Sequence, residues 1–339
     1  MSPARASTRV AVIGAGAWGT TLADLLARKP LPVTLWAHEP EVVEGINRNR
    51  VNHVFLPNAP LAQDLRATGD MAEAVHDADV VVCATPSHVT RAVMTEAAAR
   101  ARGTPLVVSV AKGLEPERQK RLSTVLTEVF GQRTPVAVLS GPSFAQEVYQ
   151  RQPTAVVAAA SDHDVACRVQ EVFSTQTFRV YSHTDVIGVE LGGALKNVIA
   201  LAAGILEGLG LGHNPRAALL TRGLAELTRL GVTLGADPLT FAGLAGLGDL
   251  VLTATGALSR NRSLGVELGQ GRALEDILAS RKTVAEGVPT ARTAVALAQR
   301  HGVELPIASE VSQILFHGKA PRQAISDLMD RAPKPEQWR

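Results

Sequence analysis

Short, continuously apolar runs recur through the first half of the chain. They predict strands over Arg9–Ile13, Val33–Trp36, Val80–Ala84, Leu106–Val110, Val136–Leu139 and Ala155–Ala159. Continuous apolar runs, unlike alternating ones, are typical of strands that helices cover on both faces. Helices are predicted between them, over Trp18–Arg28, Val89–Arg100, Arg118–Phe130 and Val165–Phe173. This alternation of strand and helix predicts an α/β fold with a doubly wound, mainly parallel sheet.

The strand pattern disappears after about Val180, and the second half of the chain is rich in Ala and Leu. Helices are predicted over Gly188–Leu209, Pro215–Leu230, Pro238–Thr255, Pro289–His301 and Ile307–His317. Glycines are expected to end these helices at Gly231, Gly256, Gly302 and Gly318. We therefore place a domain boundary near Asp185–Gly188, with an N-terminal domain over 1–187 and an all-helical domain over 188–339. The tail after Met329, rich in proline and charge, is expected to be loosely held.

Bulk composition narrows the class of protein. At 339 residues the chain is long enough for two hydrophobic cores. It carries 34 Lys and Arg against 32 Asp and Glu, a formal charge of +2, so no global field favours a nucleic acid as partner. Cys83 and Cys167 are too few and too far apart for a disulfide framework or a metal site, and both have apolar neighbours, as core cysteines do. These features indicate a reducing compartment.

Neither a signal peptide nor a membrane-spanning helix is expected in this sequence. Met1 to Thr8 leave no room for a signal peptide before the first predicted strand. The most apolar later run, Val198 to Leu206, is far shorter than a bilayer-spanning helix of about 20 residues, and it predicts a buried helix. We expect a cytoplasmic protein without stable membrane insertion.

A glycine-rich segment follows the first strand and opens the first helix. Gly14, Gly16 and Gly19 form the pattern GxGxxG in the sequence GAGAWG. In this context the glycines allow a tight turn, close approach of the backbone to a pyrophosphate, and tight packing of helix on strand. The N–H groups at the helix start then face the phosphates. The flanking strand and helix favour a Rossmann-type dinucleotide site over a turn without a ligand.

Ligands of parallel sheets bind beyond the carboxyl ends of the strands, so the residues after each strand test this prediction. Small or polar loops stand there, at Thr85–Ser87, at Lys112–Gly113 and at Ser140–Ser143. These three loops and the glycine-rich one make four that are expected to gather at one edge of the sheet. For Thr85–Ser87, an ordinary turn in which Ser87 caps the next helix stays an open alternative.

The end of the second strand bears on the choice between NADH and NADPH. An NAD site usually carries an acid there to bind the ribose 2′-hydroxyl, whereas this chain has Ala37 and His38. Arg48 and Arg50 follow and are available to a 2′-phosphate, although Glu39 keeps NAD open. We predict that NADPH is at least accepted.

Five separated motifs carry a family resemblance. They are KGLE at 112–115, SGPSFA at 140–145, LGGALKN at 191–197, GLGDLVLT at 246–253 and SRNR at 259–262. In this order they closely resemble the bacterial NAD(P)-dependent glycerol-3-phosphate dehydrogenases, and the resemblance covers essentially the whole chain. It implies the reversible reduction of dihydroxyacetone phosphate to sn-glycerol 3-phosphate by NADPH or NADH. It also implies a homodimer that supplies glycerol 3-phosphate for phospholipid synthesis.

Lys196 is the predicted general acid/base. It lies in the apolar run Leu191–Ala203, where burial of a charged amine is costly and lowers its pKa toward the range useful for proton exchange. It would donate a proton to the alkoxide that develops at the ketone carbon. The alternative is a lysine that extends its head to water from a packed helix. The adjacent Asn197 and the resemblance favour catalysis.

Asp249 and Thr253 are four residues apart and share one helix face, where they could orient the lysine and the substrate hydroxyls. A capping Asp after Gly248 and a Thr bonded to its own backbone are the alternatives that spacing leaves open. The resemblance implies that both line the active site, and that Lys112 joins them in catalysis.

Arg260 is the candidate for the substrate phosphate, because a guanidinium can form two parallel hydrogen bonds to an anion. Ser143 to Gln146 predict a capping box that opens a helix whose first N–H groups can also meet an anion. The alternatives are a solvated surface arginine and a serine that is only a cap.

The resemblance extends to further site residues. It implies substrate contacts by Lys112, Gly141, Ser143, Lys196, Asn197, Asp249, Ser259, Arg260 and Asn261. It implies cofactor contacts by Gly14, Gly16, Ala17, Trp18, Gly19, His38, Lys112, Ala145, Arg260, Val284 and Glu286. Two positions depart from the family pattern: Ala17 stands where relatives often have Ser, which removes one side-chain hydrogen bond to the pyrophosphate, and Trp18 where Tyr or Phe occur. No metal ligand is implied.

Two other functions compete with this one. A different two-domain dehydrogenase could act on a hydroxy acid or a sugar phosphate, and it would leave dihydroxyacetone phosphate unreduced. A redox-sensing regulator could bind the nucleotide without turnover, and replacement of Lys196 by Ala would then alter no rate.

Overall fold

The computed structural model describes residues 8–281, 284–333 and 335–336; Met1–Ser7 and part of the charged tail, on which predictions were made, lie outside the described residues. The strands are β1 (Val10–Ile13), β2 (Val33–Trp36), β3 (Arg66–Thr68), β4 (Val80–Cys83), β5 (Leu106–Ser109), β6 (Leu114–Glu115), β7 (Lys120–Arg121), β8 (Val136–Ser140), β9 (Thr154–Ala159) and β10 (Phe178–His183). Eight of them form one sheet in the order β10-β9-β8-β5-β4-β1-β2-β3. Its neighbours pair in parallel except β8 with β9. The predicted mainly parallel sheet is confirmed.

The helices surround this sheet and then continue as a helical array. They are α1 (Ala17–Ala27), α2 (Pro40–Glu44), α3 (Met71–Val75), α4 (Thr90–Arg100), α5 (Leu122–Phe130), α6 (Ala145–Tyr149), α7 (His163–Phe173), α8 (Val186–Gly208), α9 (His213–Thr233), α10 (Pro238–Phe241), α11 (Asp249–Thr255), α12 (Arg260–Gly269), α13 (Leu274–Ala279), α14 (Gly287–Arg300), α15 (Pro306–His317) and α16 (Pro321–Met329). Two π-helical turns lie at Gly45–Asn49 and Leu244–Gly248.

Successive residues of the central strands enter two different cores. Val10 and Val12 of β1 pack with residues of α1 and α7, whereas Ala11 and Ile13 pack with residues of α3, α4 and α5. Side chains of a strand point alternately to opposite faces, so these strands need apolar residues at every position. This burial on both faces explains the continuous apolar runs in the sequence.

Helix α8 is the axis of the helical half. Its residues from Gly188 to Leu206 are all buried, and the apolar core around it includes side chains of α9, α11, α12, α14 and α15. A β-carbon at Gly204 would collide with a backbone carbonyl of α12, so α12 can approach α8 this closely only because glycine stands there. The close approach brings the start of α12 toward the middle of α8. Strand β10 ends at His183 and α8 begins at Val186, next to the predicted domain boundary.

Several predicted elements were wrong in detail. The predicted helix from Arg118 starts only at Leu122, because β6 and β7 pair just before it. Strand β10 was missed because it alternates buried and exposed residues at the edge of the sheet. Gly231 does not end a helix but lies within α9 against the ring of Phe241, where a β-carbon would clash. The ends at Gly256, Gly302 and Gly318 are confirmed.

Cys83 is buried as expected, but the expectation for Cys167 was wrong. Its side chain is partly exposed, and its Sγ lies 3.6 Å from Nδ1 of His163, one helical turn earlier.

Two stretches of the described chain are long and apolar enough for a membrane-crossing helix by length and composition alone. The first stretch is α8, which has 23 residues because the helix continues through Asn197. The prediction that the apolar run Val198 to Leu206 is too short to span a bilayer was therefore wrong. However, 89% of the apolar window of α8 is buried inside the protein, as in a core helix. The second stretch, Pro238–Thr255, is broken into α10, a π-helical turn and α11.

Candidate active site

The glycine-rich turn after β1 has the shape that a pyrophosphate requires. Gly14 has a φ of +114°, and a β-carbon there would lie 2.8 Å from the carbonyl oxygen of Ala84, the residue that follows β4. Gly16 is the N-cap of α1 and receives no side-chain cap, and no atom lies within 4 Å of where its β-carbon would be. The backbone at the start of α1 can therefore be approached closely at Gly16, which fits an anionic ligand at this helix N-terminus.

The end of β2 only partly meets its prediction. His38 is exposed, with its ring 6.3 Å from that of Trp36. Arg48 is exposed but pairs with Glu44. Arg50 is partly buried, and its guanidinium donates a hydrogen bond of 2.8 Å to the carbonyl of Leu65, which leaves other N–H groups of the guanidinium for a ligand. Contacts of either arginine with a 2′-phosphate stay predictions.

The loop after β4 connects the sheet with the helical half. Ser87 does not cap α4, whose N-cap is Val89. Its N–H and hydroxyl instead donate hydrogen bonds of 2.9 and 2.5 Å to the carboxylate of Glu286, at the start of α14. Glu286 is thus held at the carboxyl edge of the sheet, and Val284, two residues earlier, is exposed. This pairing could not be predicted from the sequence, because the two residues lie 199 positions apart.

Lys196 lies buried in the middle of α8. Its side chain is 6% exposed, and Nζ donates hydrogen bonds of 2.6 Å to Oδ1 of Asp249 and 2.6 Å to Oγ1 of Thr253. Burial lowers the pKa of Lys196 to about 7; the carboxylate of Asp249 opposes this, and the charges of Lys112 and Arg260 add to it. The lysine does not extend to water, and it can exchange a proton near neutral pH.

Asp249 bridges two lysines. It is 1% exposed, and its second oxygen accepts a hydrogen bond of 2.8 Å from Nζ of Lys112. Lys112 also donates to the carbonyl of Gly141 at 2.7 Å and to Oγ of Ser143 at 3.2 Å. One buried carboxylate between two amines leaves an excess of positive charge if both are protonated, which suits an anionic substrate. Asp249 therefore serves this cluster rather than capping α11.

Two buried asparagines join the elements around Lys196. Asn197 donates to the carbonyl of Lys112 at 2.9 Å, and Asn261 donates to Oδ1 of Asn197 at 2.9 Å. The N–H of Gly287 in turn donates to Oδ1 of Asn261 at 2.9 Å. This chain of bonds fixes α8, α12, α14 and the loop after β5 relative to one another. Substrate contacts by Asn197 and Asn261 stay predictions.

The start of α12 carries a solvent-accessible arginine. Ser259 caps the helix by accepting a hydrogen bond of 3.2 Å from the N–H of Arg262. The next residue, Arg260, is accessible to solvent, and within the described part of the chain its guanidinium has no hydrogen bond or ion pair. Protein atoms around the guanidinium shield it from water, and this desolvation lowers the pKa of Arg260, whereas the negative charge of Glu286 raises it. An unpaired guanidinium at a helix N-terminus is suited to bind a phosphate.

The predicted capping box at Ser143 was wrong. Helix α6 has Phe144 as its N-cap and no side-chain cap. Ser143 instead turns toward the lysine cluster, where its hydroxyl donates to the carbonyl of Gly141 at 2.9 Å and accepts from Lys112. Ala145 lies beside α1, and its carbonyl accepts a hydrogen bond of 3.2 Å from Thr21. The hydroxyl of Ser143 is therefore bonded to Lys112 and Gly141 and does not cap α6.

A glycine-rich turn between the first strand of a mainly parallel sheet and its first helix, together with a buried lysine of lowered pKa in the helical half, is the arrangement expected of a nicotinamide-dependent dehydrogenase. Residues 9–166 match the family described as NAD-dependent glycerol-3-phosphate dehydrogenase N-terminus, and residues 185–326 match the corresponding C-terminus. The chain belongs to this family, and it is an NAD(P)-dependent oxidoreductase.

Individual relatives agree. The chain is 55% identical to glycerol-3-phosphate dehydrogenase [NAD(P)+] of Geobacter sulfurreducens, over 98% of this chain and all of that protein. It is similar to a crystal structure of glycerol-3-phosphate dehydrogenase from Coxiella burnetii, with a TM-score of 0.92, 39% identity and coverage of 96% and 99% of the two chains. A ketopantoate reductase from Ralstonia eutropha, at 16% identity, a TM-score of 0.59 and coverage of 94% and 100%, shares the fold alone.

Proposed function

We propose that this protein reduces dihydroxyacetone phosphate to sn-glycerol 3-phosphate, reversibly, with NADPH or NADH. The observation that carries the proposal is the buried amine of Lys196, whose pKa is lowered to about 7 and whose Nζ is bonded to Asp249 and Thr253. This amine lies on the helix that packs against the end of β8, at the edge of the sheet where ligands bind. The names of the relatives support the same reaction.

Lys196 supplies the proton in this mechanism. In the reduction, the ammonium donates a proton to the oxygen at C2 as that oxygen gains negative charge, and in the oxidation the neutral amine takes it back. Asp249 and Thr253 hold Nζ in one orientation, because each bonds it at 2.6 Å. Asp249 also raises the pKa of Lys196 against the effect of burial, which keeps part of the amine protonated near pH 7.

Two cationic groups receive the rest of the substrate. Lys112 is bonded to Asp249 in the same cluster, where its charge attracts the anionic triose. Arg260 offers its solvent-accessible guanidinium to the phosphate, together with the N–H groups that begin α12. Contacts by Gly141, Ser143 and Ser259 belong to the same proposal.

We infer that the cofactor would be held by residues near the carboxyl edge of the sheet. The turn Gly14–Gly19 would receive the pyrophosphate, and Trp18 and Ala145 would line the groove beside it. Glu286, fixed by Ser87, would also line the cofactor. When bound, the nicotinamide supplies the hydride. We propose that NADPH is accepted, because no acid follows β2 directly and His38 and Arg48 are exposed there.

The biological setting is also a proposal. By resemblance, the protein is a cytoplasmic homodimer whose product enters phospholipid synthesis. The division into domains at 1–187 and 188–339 and the substrate contacts of Asn197 and Asn261 are proposed on the same basis.

A spectrophotometric assay at 340 nm tests the reaction. The purified chain is mixed with dihydroxyacetone phosphate and with NADPH or NADH in turn, and a 2-keto acid serves as the control substrate. We expect oxidation of NADPH with the triose phosphate and none with the keto acid. Reduction of the keto acid alone would place the protein among hydroxy-acid dehydrogenases, and strict dependence on NADH would contradict the interpretation of His38.

A further inference from the structure

A buried asparagine lies directly beneath the glycine-rich turn. Asn52 belongs to the loop that follows the π-helical turn Gly45–Asn49, and it is 0% exposed. Its Nδ2 donates hydrogen bonds of 2.8 Å to the carbonyl of Ala15 and 2.8 Å to Oγ1 of Thr20. Its Oδ1 accepts the N–H of Phe55 at 3.0 Å. Every hydrogen-bonding group of this amide therefore has a partner, and the partners fix its orientation.

The three polar groups form a closed triangle. Thr20, itself 0% exposed, donates from its hydroxyl to the carbonyl of Ala15 at 3.0 Å while it accepts from Asn52. The carbonyl of Ala15 thus receives two bonds in the middle of the segment Gly14–Gly19. A buried carbonyl without partners costs free energy, so this pair of bonds selects one orientation of the peptide between Ala15 and Gly16. That peptide also contains the N–H of Gly16, at the entrance to α1.

We propose that Asn52 is a positioning residue for the cofactor: through Ala15 and Thr20 it holds the amides of the glycine-rich turn in the orientation that receives the pyrophosphate. It touches neither the proposed substrate nor Lys196. This inference rests on the proposed dinucleotide site and adds to it a residue from a different part of the chain. Loss of the asparagine weakens cofactor binding, while turnover at saturating cofactor is retained.

The direct test is Asn52→Asp. The substituted side chain has nearly the same shape, but it replaces both donated hydrogens with an oxygen that faces the carbonyl of Ala15. It also places a negative charge beneath an anion site. The dissociation constants for NADPH and NADH, measured by titration of tryptophan fluorescence, should rise about tenfold or more, and kcat at saturating cofactor should change by less than about twofold.

Asn47 offers a matched control in the same segment. Its side chain donates to the carbonyl of Ala67 at 2.7 Å and accepts from the N–H of Ala67 at 3.0 Å, so it is bonded to β3 and not to the glycine-rich turn. Asn47→Asp makes the same chemical change, and it should leave the dissociation constants within about twofold of wild type. An equal rise in both variants would overturn the proposal, because general loosening of the loop would then explain it.

Thr20 supplies a second test in case Asn52→Asp fails to fold. Thr20→Val keeps the shape of the side chain and removes the hydroxyl, so it should weaken cofactor binding. Thr20→Ser keeps the hydroxyl, so it should bind the cofactor nearly as tightly as the wild type. A folded Asn52→Asp variant with wild-type dissociation constants, or a Thr20→Val variant as tight as Thr20→Ser, would overturn the proposal. The titration contains no triose, so it stands apart from the result of the assay with dihydroxyacetone phosphate.

Discussion

The substitution Asp249→Asn should change the pH dependence of the reaction in a defined direction. The carboxylate of Asp249 raises the pKa of Lys196, which burial lowers to about 7 overall. An opposite charge within hydrogen-bond distance typically moves a pKa by about 1 to 3 units. Without that charge the pKa of Lys196 should therefore fall to about 6 or below. The neutral amine, which acts as base in the oxidation of glycerol 3-phosphate, then exists at lower pH.

The ratio of kcat/KM for this oxidation at pH 6 to that at pH 8.5 measures the effect, because kcat/KM reports the pKa of the free enzyme. With a pKa of about 7 the wild type has about a tenth of its amine neutral at pH 6, so its ratio should be about 0.1. The variant should show a ratio of about 0.5 or more, whatever its absolute rate.

A control variant separates this local effect from a general change of charge. Asp77→Asn removes an exposed carboxylate that pairs with Arg9, and it should keep the wild-type ratio. Each enzyme is compared with itself, and titration of the substrate phosphate is common to all three. A ratio of about 0.1 or lower for Asp249→Asn would refute the assignment of Lys196 as the base.

Three further predictions concern single residues. Lys196→Ala should lower kcat by about 10²- to 10⁴-fold in the 340 nm assay with cofactor binding nearly intact, and equal loss of cofactor affinity would indicate a structural role. Arg260→Lys should mainly raise KM for the triose phosphate, because an ammonium cannot form the bidentate contact; an unchanged KM would count against it. Burial raises the pKa of Glu226 to about 7, so the folded chain binds that proton more tightly than the unfolded chain, and the free energy of unfolding should fall as pH rises from about 4.5 to 7. In denaturant titrations, Glu226→Gln should abolish most of this fall. A fall of the same size in the variant would contradict the prediction.

The fold could be predicted from the sequence where local pattern and burial agree. The strands of the sheet centre carry apolar residues at every position because both faces are covered, and this signal is strong in a single sequence. The edge strand β10 lacks it, since one of its faces meets solvent. Helix α8 was predicted nearly to its ends, because its burial on all sides leaves a long apolar run around Lys196.

The site could be predicted as a set of residues but not as a network. The sequence singled out Lys196, Asp249 and Thr253, and the structure brings them within hydrogen-bond distance. The sequence could not show that the hydroxyl of Ser143 accepts a hydrogen bond from Lys112 and does not cap α6, because this depends on a tertiary contact. Nothing in the local sequence marks Asn52 either, since the partners of its Nδ2, Ala15 and Thr20, lie more than 30 residues away.

A crystal structure of the ternary complex with NADPH and dihydroxyacetone phosphate would test the central claim most directly. The account predicts that Nζ of Lys196 lies about 2.6 to 3.2 Å from the carbonyl oxygen at C2 of the triose, with its bond to Asp249 retained. A bound triose whose C2 oxygen is remote from that nitrogen, or contacts another proton donor instead, would contradict it.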